Sequence, residues 1–200
     1  MIYRAHSFID GAYLRRAAKE AHLHLVDPLA LSKSIIFDQA VIQDWCADPR
    51  AIRSTGLARV IYYDARPDDD SELDPNLKSY WDAIELLRDT QLGFGSLRGG
   101  NKKKPPRQKG VDTLIAVDML VGAFTNLFSV ALLVAGDADF VPIINEVRRR
   151  GVMVVVAGMD DGTFSDELKR SADRHLMIKA TRDSSAFPPL MKEDGGYWTT

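Results

Sequence analysis

Two uninterrupted apolar runs, VALLVAG (Val130–Gly136) and VMVVVAG (Val152–Gly158), bracket the stretch DFVPIINEVRRR. A strand with one wet face alternates polar and apolar residues. These runs do not alternate, so both of their faces must be covered, as in a parallel sheet whose strands are joined by crossover helices. The rest of the chain follows the same rhythm. IYRAHSFI (Ile2–Ile9) and ARVIYYDA (Ala58–Ala65) read as further strands, and LGFGSL as a short one weakened by glycine. Helices are expected over Tyr13–Ala21, over LKSYWDAIELLRDTQ, where Leu77, Tyr80, Trp81, Ile84 and Leu87 recur at helical spacing, and over VDTLIAVDMLVGAF. The expected class is α/β, a central parallel sheet with helices on both faces.

The 200 residues suit one domain, spanning 1–181, with a Ser/Pro/Gly-rich tail at 182–200. Two segments fall outside the βα rhythm. Residues 28–51 read as an additional helical segment beside the sheet, whose apolar residues could serve either the sheet or a homodimer. Residues 98–110 form a basic Gly/Pro-rich loop. Hydrophobic residues make up 46% of the chain and charged residues 27%, as in a globular protein. The opening MIYRAHSFIDG is too short and polar for a signal peptide, and no apolar run is long enough to span a membrane. Cys46 is the only cysteine, which excludes an internal disulfide; the expectation is a soluble, cytoplasmic protein with no membrane partner.

Aspartates gather where strands end. Asp10 closes the first strand, Asp112 opens the helix after QKGV, and Asp137 and Asp139 follow VALLVAG. Any one of them suits a helix N-cap, worth about 1 kcal/mol. Capping does not explain why several fall at the carboxyl ends of strands, where open parallel sheets form their sites. Two like charges at 4 Å repel by about 4 kcal/mol at an effective dielectric of 20. Such a cluster needs protons, bases or a hard divalent cation, Mg²⁺ or Mn²⁺. Asp118, about 120° around the helix from Asp112, is a weaker candidate for a supporting role or a helix-surface group. His6, His22, His24 and His175 show no metal-ligand grouping.

SFIDGAYL, QKGVDTLIAVDML and LLVAGDADFVPIINEVRRRGVMVVVAG, in that order, resemble the motif blocks of NYN-domain proteins, the PIN-like group that includes the LabA/DUF88 proteins. SADRHLMI (Ser171–Ile178) is similar to the closing block. The resemblance implies a Rossmann-like PIN/NYN fold of strand order 3-2-1-4-5 and metal-dependent cleavage of RNA. It assigns Asp10, Asp112, Asp137 and Asp139 as the acidic site, with Asp118 as a further member. The chain departs from the family at Ala12 and Tyr13, where asparagine is common.

On this reading Asp10, Asp112 and Asp137 hold the metal directly or through water, and Asp139 is a ligand or a water-orienting base. A bound metal would lower the pKa of a coordinated water and neutralise charge on the phosphate oxygens. Arg98, Lys102, Lys103, Lys104, Arg107 and Lys109, six cations in twelve residues, are the candidate grip on flanking phosphates of RNA, against the plainer reading of a solvated loop. Arg148, Arg149 and Arg150 suit the C-terminal end of a helix as structural charges, and Tyr13 reads as a core or rim residue, with base stacking the alternative. GFGSLRGG places Arg98 where a dinucleotide fingerprint needs its third glycine, and Asn101 stands where a phosphate-binding loop needs lysine. Other function classes compatible with the paired aspartates are a Mg²⁺-dependent phosphatase, a topoisomerase-primase-like enzyme, and a non-catalytic RNA-binding or regulatory module.

Overall fold

The computed structural model describes residues 3–38, 55–69, 73–98, 107–179 and 188–190. Its centre is a seven-stranded sheet. In chain order the elements are β1 (Tyr3–Asp10), α1 (Gly11–Glu20), α2 (Pro28–Ile36), β2 (Thr55–Arg66), α3 (Pro75–Glu85), β3 (Thr90–Arg98), β4 (Arg107–Lys109), α4 (Val111–Phe124) and β5 (Val130–Val134). A 3-10 turn (Ala138–Phe140) then leads into α5 (Val141–Arg149), β6 (Met153–Met159), α6 (Asp166–Ser171) and β7 (Arg174–Ile178).

The sheet order is β4-β3-β2-β1-β5-β6-β7. All neighbours are parallel except β4, which runs antiparallel to β3. The expected order 3-2-1-4-5 is the run β3-β2-β1-β5-β6, and β4 and β7 are added at its two edges. The basic segment 98–110 is therefore not loop throughout: Arg98 closes β3 and Arg107–Lys109 pair with it as an edge strand.

Alternation within each strand builds two cores. Ala5 and Ile9 of β1, Val130, Leu132 and Val134 of β5, and Val155 and Ala157 of β6 face α1, α2 and α3. Phe8, Ala131, Leu133, Val154 and Val156 face α4, α5 and α6. Every residue of β5 is buried, which is why its sequence shows no period of two. Among the described residues no helix is long and apolar enough to cross a membrane.

Caps set the helix starts. Asp27 caps α2, accepting from the Ala30 N–H at 2.9 Å, with Pro28 in its first turn. α1 starts at Gly11 rather than Tyr13, because Asp10 itself is the cap. α3 ends at Glu85, short of the expected helix through Gln91; Asp89, at φ 61°, reverses the chain, and Thr90 and Gln91 already belong to β3. Of the additional segment 28–51, the described part is α2 and the two residues after it, packed on the sheet through Leu31, Ile35 and Ile36; residues 39–51 lie outside the described residues.

Candidate active site

β1 pairs with β2 on one side and β5 on the other, and the chain winds outward in opposite directions from β1. This is the topological switch point, where the loops leaving adjacent strand ends diverge and open a crevice. A cleft of about 520 Å³ lies there, and its walls include Asp10, Asp112, Asp137, Arg16, Gln108 and Thr163. Three of the four expected aspartates thus meet in one cavity. Asp139 does not line it, but its charge acts on Asp112.

Each acid arrives by a distinct local rule. Asp10 ends β1 and caps α1, its Oδ1 accepting from the Tyr13 N–H at 3.0 Å. Asp137 follows β5 and caps the 3-10 turn, its Oδ1 accepting from the Asp139 N–H at 3.0 Å. Asp112 stands in the first turn of α4, whose cap is Gly110 at φ 88° with no side-chain hydrogen bond. Capping and clustering are therefore both true of Asp10 and Asp137, and capping occupies one oxygen of each.

The cluster is electrostatically unfavourable when ionised. Burial pushes the Asp10 carboxyl above its ordinary value and Asp112 raises it further, against the Tyr13 N–H and Arg15, which lower it. Burial likewise raises Asp112, followed by Asp137 and Asp139. The four acids form a chain of mutual influence, Asp10 to Asp112 to Asp137 and Asp139. Among the described residues no three His, Cys, Asp or Glu side chains are arranged to hold an ion by themselves.

A family model described as the NYN domain matches residues 4–179. The chain belongs to the NYN domain family. NYN domains fall within the PIN-like nuclease superfamily and are generally ribonucleases. No curated protein matches this chain significantly. Among solved structures, a Vibrio parahaemolyticus protein of unknown function has the same fold, with a TM-score of 0.64 and 14% identity over 93% of this chain and 96% of that one.

Among the described residues, the other expected site residues of this NYN domain, Asp118, Arg98 and Lys109, do not line the cleft. Asp118 accepts from the Tyr63 hydroxyl at 2.7 Å and lines a different cavity, further along α4. Arg98 is exposed, 3.6 Å from Asp68. Lys109, also exposed, ends β4 just before α4. Lys102, Lys103 and Lys104 lie outside the described residues, as does the side chain of Arg107. Of the three arginines at the end of α5, Arg148 bonds Asp173 and the Ser171 carbonyl, Arg149 pairs with Glu146, and Arg150 sits over the Phe124 ring.

Four residues in or behind the cleft wall are not among those the sequence marks as site candidates: Arg15, Arg16, Asp64 and Gln108. Asp64, in β2, is fully buried and ion-paired with Arg15. It also accepts from Trp81 Nε1 at 3.0 Å, Gln108 Nε2 at 3.3 Å and the Ala65 N–H at 2.8 Å. Gln108 reaches from that buried network into the cleft wall. The signal available was Asp64 itself, an acid near the end of a parallel strand as Asp10 is.

Tyr13 is a strut rather than a stacking platform. It is buried, and its hydroxyl accepts from the Met159 N–H at 2.8 Å and from the Thr163 hydroxyl at 3.2 Å, tying α1 to the far wall. Gly136 makes room for this contact: a Cβ there would lie 2.5 Å from Tyr13 Cε2 and 2.6 Å from the Thr163 carbonyl oxygen. Backbone cannot yield as a flexible side chain can, so Gly136→Ala is expected to cost about 1–3 kcal/mol by overpacking, measured by urea denaturation. A cost near zero would mean that the wall is not packed as described.

Proposed function

We propose that this NYN domain is a metal-dependent ribonuclease, hydrolysing RNA phosphodiester bonds at Asp10, Asp112, Asp137 and Asp139 with Mg²⁺ or Mn²⁺. The observation that carries the reading is the convergence of Asp10, Asp112 and Asp137 on one cleft, with burial and mutual repulsion raising the proton affinity of Asp10 and Asp112. Hard carboxylate oxygens suit a hard cation. Carboxylates that open onto a cleft suit Mg²⁺ in particular, which keeps several waters and is held by one or two carboxylates together with substrate phosphate.

Asp10, Asp112 and Asp137 would hold the ion, directly or through water and together with substrate phosphate, and Asp139 would orient a water. When bound, the ion supplies a more acidic water and offsets charge on the phosphate oxygens. Arg16, on the cleft wall, adds a cation for a phosphate beside the scissile one. Arg98, Lys109 and the lysines between them extend that grip along a single strand or loop of RNA, through contacts that weaken with salt. The test is incubation of labelled single-stranded RNA with the protein in Mg²⁺ or Mn²⁺, with and without chelator. Metal-dependent fragments are expected, with no turnover of small phosphomonoesters. Salt-sensitive RNA binding with no fragments would point instead to a binding module, and phosphomonoester turnover without chain scission to a phosphatase.

The raised proton affinities fix a pH dependence. Protons compete with the cation for Asp10 and Asp112, so cleavage rises with pH through a range above the usual carboxylate value of about 3.9. Without metal the sign for stability is the opposite. A carboxyl whose folded pKa is raised stabilises the fold below its unfolded pKa, and that contribution is lost as pH rises through the folded value. Asp112→Asn should therefore raise the Tm at pH 7 in chelator. Mn²⁺ should raise the Tm of the parent, by about 2.7 kcal/mol of stability at a hundredfold excess over Kd, but not that of the variant. Equal Mn²⁺ shifts in the two proteins would remove Asp112 from the cation site.

A further inference from the structure

The helix that carries Asp112 into the cleft is apolar on much of its solvent side too, interrupted there by Asp112, Thr113 and Asp118. Val111, Ile115, Met119 and Ala123 of α4 are buried against the sheet, yet Val117, Val121 and Phe124 on the opposite side are 48%, 53% and 51% exposed. Leu127, just past the helix end, is 48% exposed. The i, i+4, i+7 spacing sets the first three in one stripe, on the side where a surface helix ordinarily turns polar. The one carboxylate beside that stripe on α4 is Asp118, exposed and accepting from the Tyr63 hydroxyl.

The stripe runs into a second cavity of about 430 Å³, to which Val121 and Leu127 contribute together with Arg4, Arg59, His6 and Asp118. On the other flank the Arg150 guanidinium lies 4.6 Å from the centre of the Phe124 ring. Burial, then Arg59 and Arg4, pull the His6 pKa down to about 4, so at neutral pH its imidazole is uncharged. The charged rim is therefore three arginines, Arg4, Arg59 and Arg150, against the single carboxylate of Asp118.

We propose that this face docks a partner protein through an acidic amphipathic helix, whose apolar side lies along Val117, Val121, Phe124 and Leu127 and whose carboxylates meet Arg4, Arg59 and Arg150. Charge decides between the occupants. An isologous contact with a second copy puts the same patch on both sides and sets three arginines on each side against three on the other, with only one Asp118 apiece to offset them. RNA suits the rim but not the stripe, which is mostly aliphatic and carries a single ring, Phe124, with Arg150 already over one of its faces. An acidic amphipathic helix satisfies both features, in the manner of helices that lay an apolar face into a groove. The surface is distinct from the cleft, since Val121 lies nine residues along α4 from Asp112, an axial rise of about 14 Å.

The experiment is fluorescence anisotropy of a labelled helical peptide, with leucine at i, i+3, i+4 and i+7 positions and glutamate elsewhere, titrated with the full chain. Saturable binding is expected, weakening with salt and about tenfold weaker or more for Val121→Asp and for Arg59→Glu, while RNA cleavage by both variants stays at the parent level. Three results would overturn the proposal: no saturable binding, equal binding of the same peptide with lysine for glutamate, or sedimentation showing a dimer that Val121→Asp dissociates. The readout is binding, so the proposal stands or falls independently of the nuclease reading.

Discussion

Asp137→Asn is expected to reduce metal-dependent RNA cleavage by about a hundredfold or more while leaving the fold intact. Loss of a residue that merely supports a metal ligand typically costs about 10–100-fold, and removing a ligand's charge should cost at least as much. The substitution isolates chemistry from structure. Asp137 caps its turn with Oδ1, accepting from the Asp139 N–H, and the amide oxygen of asparagine can accept the same bond, asparagine being as good a cap as aspartate. Asp137→Ala would confound the result by losing about 1 kcal/mol of cap as well. Cleavage at the parent rate by Asp137→Asn, in preparations free of contaminating nuclease, would remove Asp137 from the chemistry.

The largest stability effect belongs to Asp64, which no metal site needs. It is buried without solvent contact and takes donors from Arg15, Trp81, Gln108 and its own following N–H. Removing one member of a buried ion pair leaves the other uncompensated, at a cost of about 3–5 kcal/mol. Asp64→Leu should show a loss of that size in urea denaturation. The pair as a whole contributes far less than its broken halves suggest, because both charges were desolvated to make it. The double variant Arg15→Leu/Asp64→Leu should therefore lose less stability than the sum of the two single changes, a coupling of about 0.5–3 kcal/mol. Strict additivity would mean that the two residues do not act as a pair. Loss of Arg15 also removes a charge that lowers the Asp10 pKa, so the pH profile of cleavage should move upward in Arg15→Leu.

The sheet was legible because of its burial. Strands such as β5 and β6 are covered on both faces, and hydrophobicity without alternation is the direct record of that. The acids were legible for a related reason: in a parallel sheet, a charge that follows a buried strand has few places to be other than the crevice. What the sequence hid is non-local. β4 is three residues long and polar, and only its pairing with β3 makes it a strand. Asp64 looks like any acid near a strand end until Arg15, five positions after Asp10, is seen folded back onto it. Asp118 falls on the same helix as Asp112 but, as its angular offset suggested, points to another cavity and another partner. Tyr13 could be placed at the core or rim but not given a task, because its partner Met159 is supplied by β6, two strands over from β1 in the sheet.

If the acids of this cleft share a divalent cation, crystals soaked in Mn²⁺ will reveal it through the anomalous signal of the metal. A peak is expected in the cleft bounded by Asp10, Asp112 and Asp137, and it should be lost in crystals of Asp112→Asn. A cleft that stays empty at millimolar Mn²⁺, or a peak that persists unchanged when Asp112 is neutralised, would contradict a shared cation.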